Sequence, residues 1–95
     1  MDNLIEKTKK NLLSDNGLIC LYAIKSCVEN KIIDDSIIKI LKDLKSNNNV
    51  EWNSCKISDC AIASLHLLGI EKYIGNEPSI TTLIDNCFFI YDKSI

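Results

Sequence analysis

Ninety-five residues, 46% of them apolar, supply one domain's worth of core, which excludes wholesale disorder and a second core. A net charge of −2 and a pI near 5.3 exclude a global basic field for phosphate polymers. All 11 basic residues are lysine, so the bidentate guanidinium that reads phosphate or guanine is missing.

The first segment, 2–13, reads as a short helix. Leu4, Ile5, Thr8, Leu12 and Leu13 share one broad face, and Glu6, Lys7, Lys9 and Lys10 lie largely off it. Ser14-Asp15-Asn16-Gly17 is a dense turn signal, and Asp15 or Asn16 offers a cap for the next helix. That second helix is predicted over 18–30, with Ile19, Tyr22, Ala23, Ser26 and Cys27 on an i, i+3, i+4, i+7, i+8 stripe. Leu18, Leu21, Ile24 and Val28 widen its apolar surface, which predicts a place inside a helical layer. Asp34-Asp35-Ser36 starts a third helix over 35–45, whose stripe is Ile37, Ile40, Leu41 and Leu44 and whose late lysines suit its negative pole.

The stretch 46–57 reads as a polar loop, longer than most helix–helix connections, and holds the single tryptophan, Trp52. Its ring is expected to cover the edge of the core or to anchor a partner. A fourth helix follows over 58–69, with Ser58 as cap and Gly69 as stop. Ile70–Gly75 connect it to a fifth over 77–87, with Asn76 as cap, Pro78 in the first turn and Ile80, Leu83, Ile84 and Cys87 as stripe. The apolar Phe88–Tyr91 is expected to be packed, as helix extension or strand-like tail, and offers a route to a homo-oligomer.

The second and fourth helices repeat one another. Ile19 falls on Ile57 at an offset of 38, and Ala23, Ile24, Ser26 and Cys27 then fall on Ala61, Ile62, Ser64 and Leu65. Small residues at matching places let neighbouring helices approach closely. Ile57, Ala61, Ser64, Leu65, Leu68 and Gly69 resemble the second helix of a HEAT repeat: an aliphatic, Ala four later, a small residue, Leu and a late Gly. The earlier copy lacks that Gly. Cys20 and Ser58 stand where the family carries Arg, and Asn53-Ser54 stand near the place of its Asp-Pro turn. The resemblance covers about two repeats, most of 16–87. It implies an all-α fold, a short right-handed superhelix of antiparallel helix pairs (HEAT/armadillo-like) with about five helices over 1–95. An irregular four- or five-helix bundle is the alternative with the same stripes.

Catalytic chemistry finds no foothold. His66 is the single histidine and has no Cys or Asp at a ligand spacing; Cys55-x4-Cys60 and Cys20-x6-Cys27 are poor zinc signatures. No phosphate-cradling loop, GxSxG, HExxH or EF-hand sequence is present, and the helix after Gly69, PSITTLIDN, has no basic residue for a DNA groove. The expectation is a non-enzyme with no cofactor and no metal. Five cysteines without CxxC, the absence of a leader in MDNLIEKTKK and apolar runs too short for a membrane predict reduced thiols in a cytoplasmic chain. Cys55 is the thiol best placed for reactivity.

The function expected is protein–protein interaction, as a scaffold, adaptor or inhibitor/immunity-like protein. The concave face of a repeat stack is built by its second helices. Lys25, Glu29, Asp59, Ala63 and His66 leave the apolar stripes of those helices and are the candidate partner contacts, with Trp52 and Tyr73 at the rim. Nucleic-acid association through Lys7, Lys9, Lys10, Lys39, Lys42 and Lys45 is the competing expectation, with steep salt dependence as its mark.

Overall fold

A computed structural model describes residues 2–47, 51–52 and 55–86, and the side chains of all of these but Asp2, Asn3, Trp52 and Cys55. The fold is all-α. Among the described residues there are five helices, α1 (Asp2–Leu12), α2 (Gly17–Glu29), α3 (Asp35–Leu44), α4 (Ile57–Leu67) and α5 (Pro78–Asn86). Each lies within two residues, at either end, of where the pattern predicts it.

Local chemistry sets the helix ends. Asn16 Oδ1 accepts the N–H groups of Leu18 and Ile19 at 3.0 and 3.1 Å and so caps α2. Asp34 Oδ2 accepts Ile37 N–H at 3.2 Å and caps α3. Ser58 does not cap α4: the helix begins one residue earlier, Lys56 takes the cap position without a capping bond from its side chain, and Ser58 is buried in the first turn. Lys31 stands in the left-handed region (φ 50) just past α2, and Gly69 does the same (φ 77) past α4.

The expected loop over 46–57 contains a short hairpin. Strand β1 (Glu51–Trp52) pairs antiparallel with β2 (Cys55–Lys56), Glu51 opposite Lys56 and Trp52 opposite Cys55. β1 lies against α2 and β2 against α4, so the connection crosses between the two.

Helix packing has a simple plan. α1 packs on α2 and α3 on α4; α1 also meets α3, α2 meets α4, and α5 closes on α4. α4 therefore lies at the centre, touched by three helices. Ile57, Cys60, Ala61, Ala63, Ser64 and Leu65 are all buried there. Small side chains permit that approach, and Ser64 Oγ satisfies itself by donating to the Ala61 carbonyl at 2.7 Å. From α2 come Leu21, Ile24 and Cys27, from α3 Ile37 and Leu41, and from α5 Ile80 and Leu83. A fully buried aliphatic chain of this kind stabilises the fold by roughly 1.5–3 kcal/mol.

α2 departs from expectation. Its buried side is Cys20, Leu21, Ala23, Ile24 and Cys27, while Ile19 and Tyr22 are exposed and Ser26 half-buried. The core stripe is rotated away from the predicted one, because α1 and α4 grip the helix from two sides and leave the Ile19–Tyr22 edge outside. In α1, Thr8 and Leu12 face the core, whereas Leu4 and Leu13 are exposed. Phe88–Tyr91 and Cys87 lie outside the described residues.

Candidate functional site

Two of the expected partner contacts on α2 and α4, Lys25 and Ala63, are buried. Ala63 has no exposed surface (0%), since three helices surround α4. Lys25 is also buried (7%): its aliphatic stem lies in the packing and its ammonium reaches Glu29 Oε2 at 2.7 Å. Both residues are thus withdrawn from a partner-facing surface. Glu29 is exposed, and Asp59, His66 and Tyr73 are half-buried. Trp52 sits in β1, with its side chain outside the described atoms.

His66 and Tyr73 meet directly. The Tyr73 backbone N–H donates to His66 Nδ1 at 2.9 Å, and the Tyr73 hydroxyl accepts the Glu77 N–H at 3.1 Å. The histidine thus organises the 68–77 connector. Beside it, Glu71 is held by Lys45 at 2.6 Å and Lys42 at 3.8 Å. The hydrogen bond from Lys45 is the main reason its carboxyl titrates below the usual 4.5.

A different surface stands open between α1 and α2. Leu4, Lys7, Thr8 and Asn11 on one side and Ile19, Tyr22, Ala23 and Ser26 on the other line a groove of about 340 Å³. Three large apolar side chains at it remain exposed: Leu4 (46%), Ile19 (42%) and Tyr22 (40%). Scattered apolar exposure is ordinary, whereas these three side chains gather around one groove. Ile19 and Tyr22 are the residues that helical spacing assigns to the core. The signal that could have found them is the excess of apolar residues in α2, more than one buried stripe can hold.

Cys20, Cys27 and Cys60 have the character of core residues. Burial pushes the Cys20 thiol up to about 11 and the Cys27 thiol up to about 12. Cys20 Sγ lies 3.4 Å from the Leu12 carbonyl, a weak bond tying the end of α1 to α2. Cys20, Cys27 and Cys60 are buried and in no disulfide among the described residues. Among the described residues no His/Cys/Asp/Glu cluster could hold a metal ion, and no helix is long and apolar enough to cross a membrane. Cys55's side chain lies outside the described atoms.

No protein-family model, no curated protein and no solved structure matches the chain.

Proposed function

We propose that this chain is a non-enzymatic protein-interaction module that takes an apolar helical ridge of another protein into the groove between α1 and α2. The observation that carries this is the exposure of Leu4, Ile19 and Tyr22 around one groove of about 340 Å³. A furrow between two helices accepts the i, i+3, i+4, i+7 ridge of a third. Lys7, on the groove wall and in no ion pair among the described residues, favours an acidic side chain beside that ridge. Tyr22 joins a rigid apolar ring to a polar tip, the chemistry of an interface anchor.

The packing plan suits a HEAT-like stack of two helical hairpins, α1–α2 and α3–α4, with α5 closing one side. On this reading α4 is a shared interior helix, and the outer edge of α2 is the working surface. Scaffold, adaptor and inhibitor/immunity-like roles all use such a surface. The lysine hypothesis loses support: Lys9, Lys39, Lys42 and Lys45 already pair with Glu6, Asp43 or Glu71 at 2.6–3.8 Å.

The test compares wild type with Ile19→Asp/Tyr22→Asp in capture from the source cell, followed by NMR mapping of the captured protein on the chain. Loss of capture at an unchanged circular dichroism spectrum, with wild-type perturbations on α1 and α2, is the expected result. Undiminished capture, or perturbations confined to α4 and α5, overturns it.

A further inference from the structure

The connector between α4 and α5 holds a hydrogen-bond arrangement that works with only one protonation state of the chain's single histidine. Because the Tyr73 N–H donates to His66 Nδ1 at 2.9 Å, that nitrogen must carry a lone pair, and the imidazole proton sits on Nε2. A second proton would set N–H against N–H. The same tyrosine accepts Glu77 N–H at 3.1 Å, directly ahead of Pro78, so the bond at His66 is linked to the first turn of α5. Packing is close here too. A Cβ on Gly75 would run into the Tyr73 hydroxyl and ring, so glycine lets the ring lie across the connector.

We propose that His66 is a pH-sensitive latch, whose protonation releases the Tyr73 backbone and, through the Tyr73 hydroxyl, loosens the start of α5.

Charged groups stand on each element packed around the connector. From α3, Lys42 and Lys45 approach the connector, and both are turned to Glu71, which they occupy. On α2, Lys25 and Glu29 neutralise one another. α4 itself carries Asp59, seven residues before His66; α5 carries only Asp85, near its far end, and Glu77 and Lys72 are exposed on the connector. With the Tyr73 bond gone, the connector keeps its Glu71 clamp and the backbone bonds that end α4, from Ile70 and Glu71 to the Leu65 carbonyl at 2.9 and 3.2 Å. The opening is therefore local, confined to 72–80, and does not unfold the domain.

Amide hydrogen exchange read by NMR on the full chain tests this, with protection factors compared at about pH 7.5 and about pH 5.5, either side of ordinary imidazole titration. In wild type, protection of the Tyr73 and Glu77 amides should fall about tenfold at the lower pH, in step with the His66 ring shifts, while the Ile70 amide holds. His66→Asn keeps an acceptor near the Nδ1 position and does not titrate, so its Tyr73 protection should stay level. Gly75→Ala displaces the Tyr73 hydroxyl and should lose Glu77 protection at both pH values with Tyr73 protection retained. Equal wild-type protection at the two pH values, or the same fall in His66→Asn, overturns the proposal. If His66→Asn does not fold, the wild-type comparison decides alone: Tyr73 exchange that does not track the ring shifts rejects it.

Discussion

Ile70 donates its N–H to the Leu65 carbonyl at 2.9 Å, and thirty-eight residues earlier Ile32 does the same to Cys27, also at 2.9 Å. In each case the residue before the donor is left-handed, Gly69 in one and Lys31 in the other. Both helices thus end in the same six-to-one backbone bond. The offset that aligns Ile19 with Ile57 is kept to the last hydrogen bond of each helix, beyond the point where the side chains still match.

That shared cap predicts opposite effects of opposite substitutions. Lys31→Gly should raise stability by up to about 1 kcal/mol, the relief of left-handed strain less the entropy of glycine. Gly69→Ala should lower it by about 1 kcal/mol for strain alone, since nothing lies within 4 Å of the added Cβ. Urea denaturation of the two variants checks the pair.

The rotation of α2 predicts a sharp contrast between neighbours in sequence. Ile19→Ser and Tyr22→Ser, at exposed positions, should change stability by no more than about 0.5 kcal/mol. Ile24→Ala, fully buried on the same helix, should cost about 2–5 kcal/mol. Equal losses at Ile19 and Ile24 in denaturation would reject the orientation of the helix.

Buried thiols predict an alkaline limit. Cys20 and Cys27 titrate at about 11 and about 12 when folded against an ordinary 9.0, so the unfolded chain releases these protons first. Their contribution is intact below pH 9.0 and is lost as pH rises from there through the folded values. Melting temperatures of wild type should therefore fall more steeply above that pH than those of Cys20→Ala/Cys27→Ala. Iodoacetamide should label both thiols slowly until the chain unfolds.

Glu71 predicts an acid limit of the other sign. Its carboxyl titrates low because Lys45 bonds to the charged form, so the contribution is present above the ordinary 4.5 and fades as pH falls through the lowered value. Glu71→Gln should melt slightly lower than wild type at neutral pH and converge with it in acid. Added salt should shrink the gap, because the pair is solvent-screened.

How much of this the chain reveals depends on how one-sided each helix is. α3 alternates aliphatics with lysines, so Ile37, Leu41 and Leu44 were assignable to the core from spacing alone. α2 is apolar on several sides, and periodicity, which places Ile19 and Tyr22 inside, cannot select which side meets α1 and α4. Spacing sets Ala63 off the main stripe and so predicts it on an open face. Only the number of helices around α4 buries it, and that is a property of packing. His66 had no visible partner, because its partner is a backbone N–H seven residues on, in a connector without periodic pattern. The β1–β2 pair is too short to leave an alternation that could be read.

The hairpin bears on binding in another way. β1 rests on α2 and β2 on α4, so the two helices are joined at a ladder as well as along their lengths. α2 is thereby held by β1 as well as by α1 and α4. Under the proposed function, a partner entering the groove would meet a wall held by its neighbours, and ordering it would cost little conformational entropy. Affinity differences among variants of such a surface would then lie mainly in how fast the partner leaves.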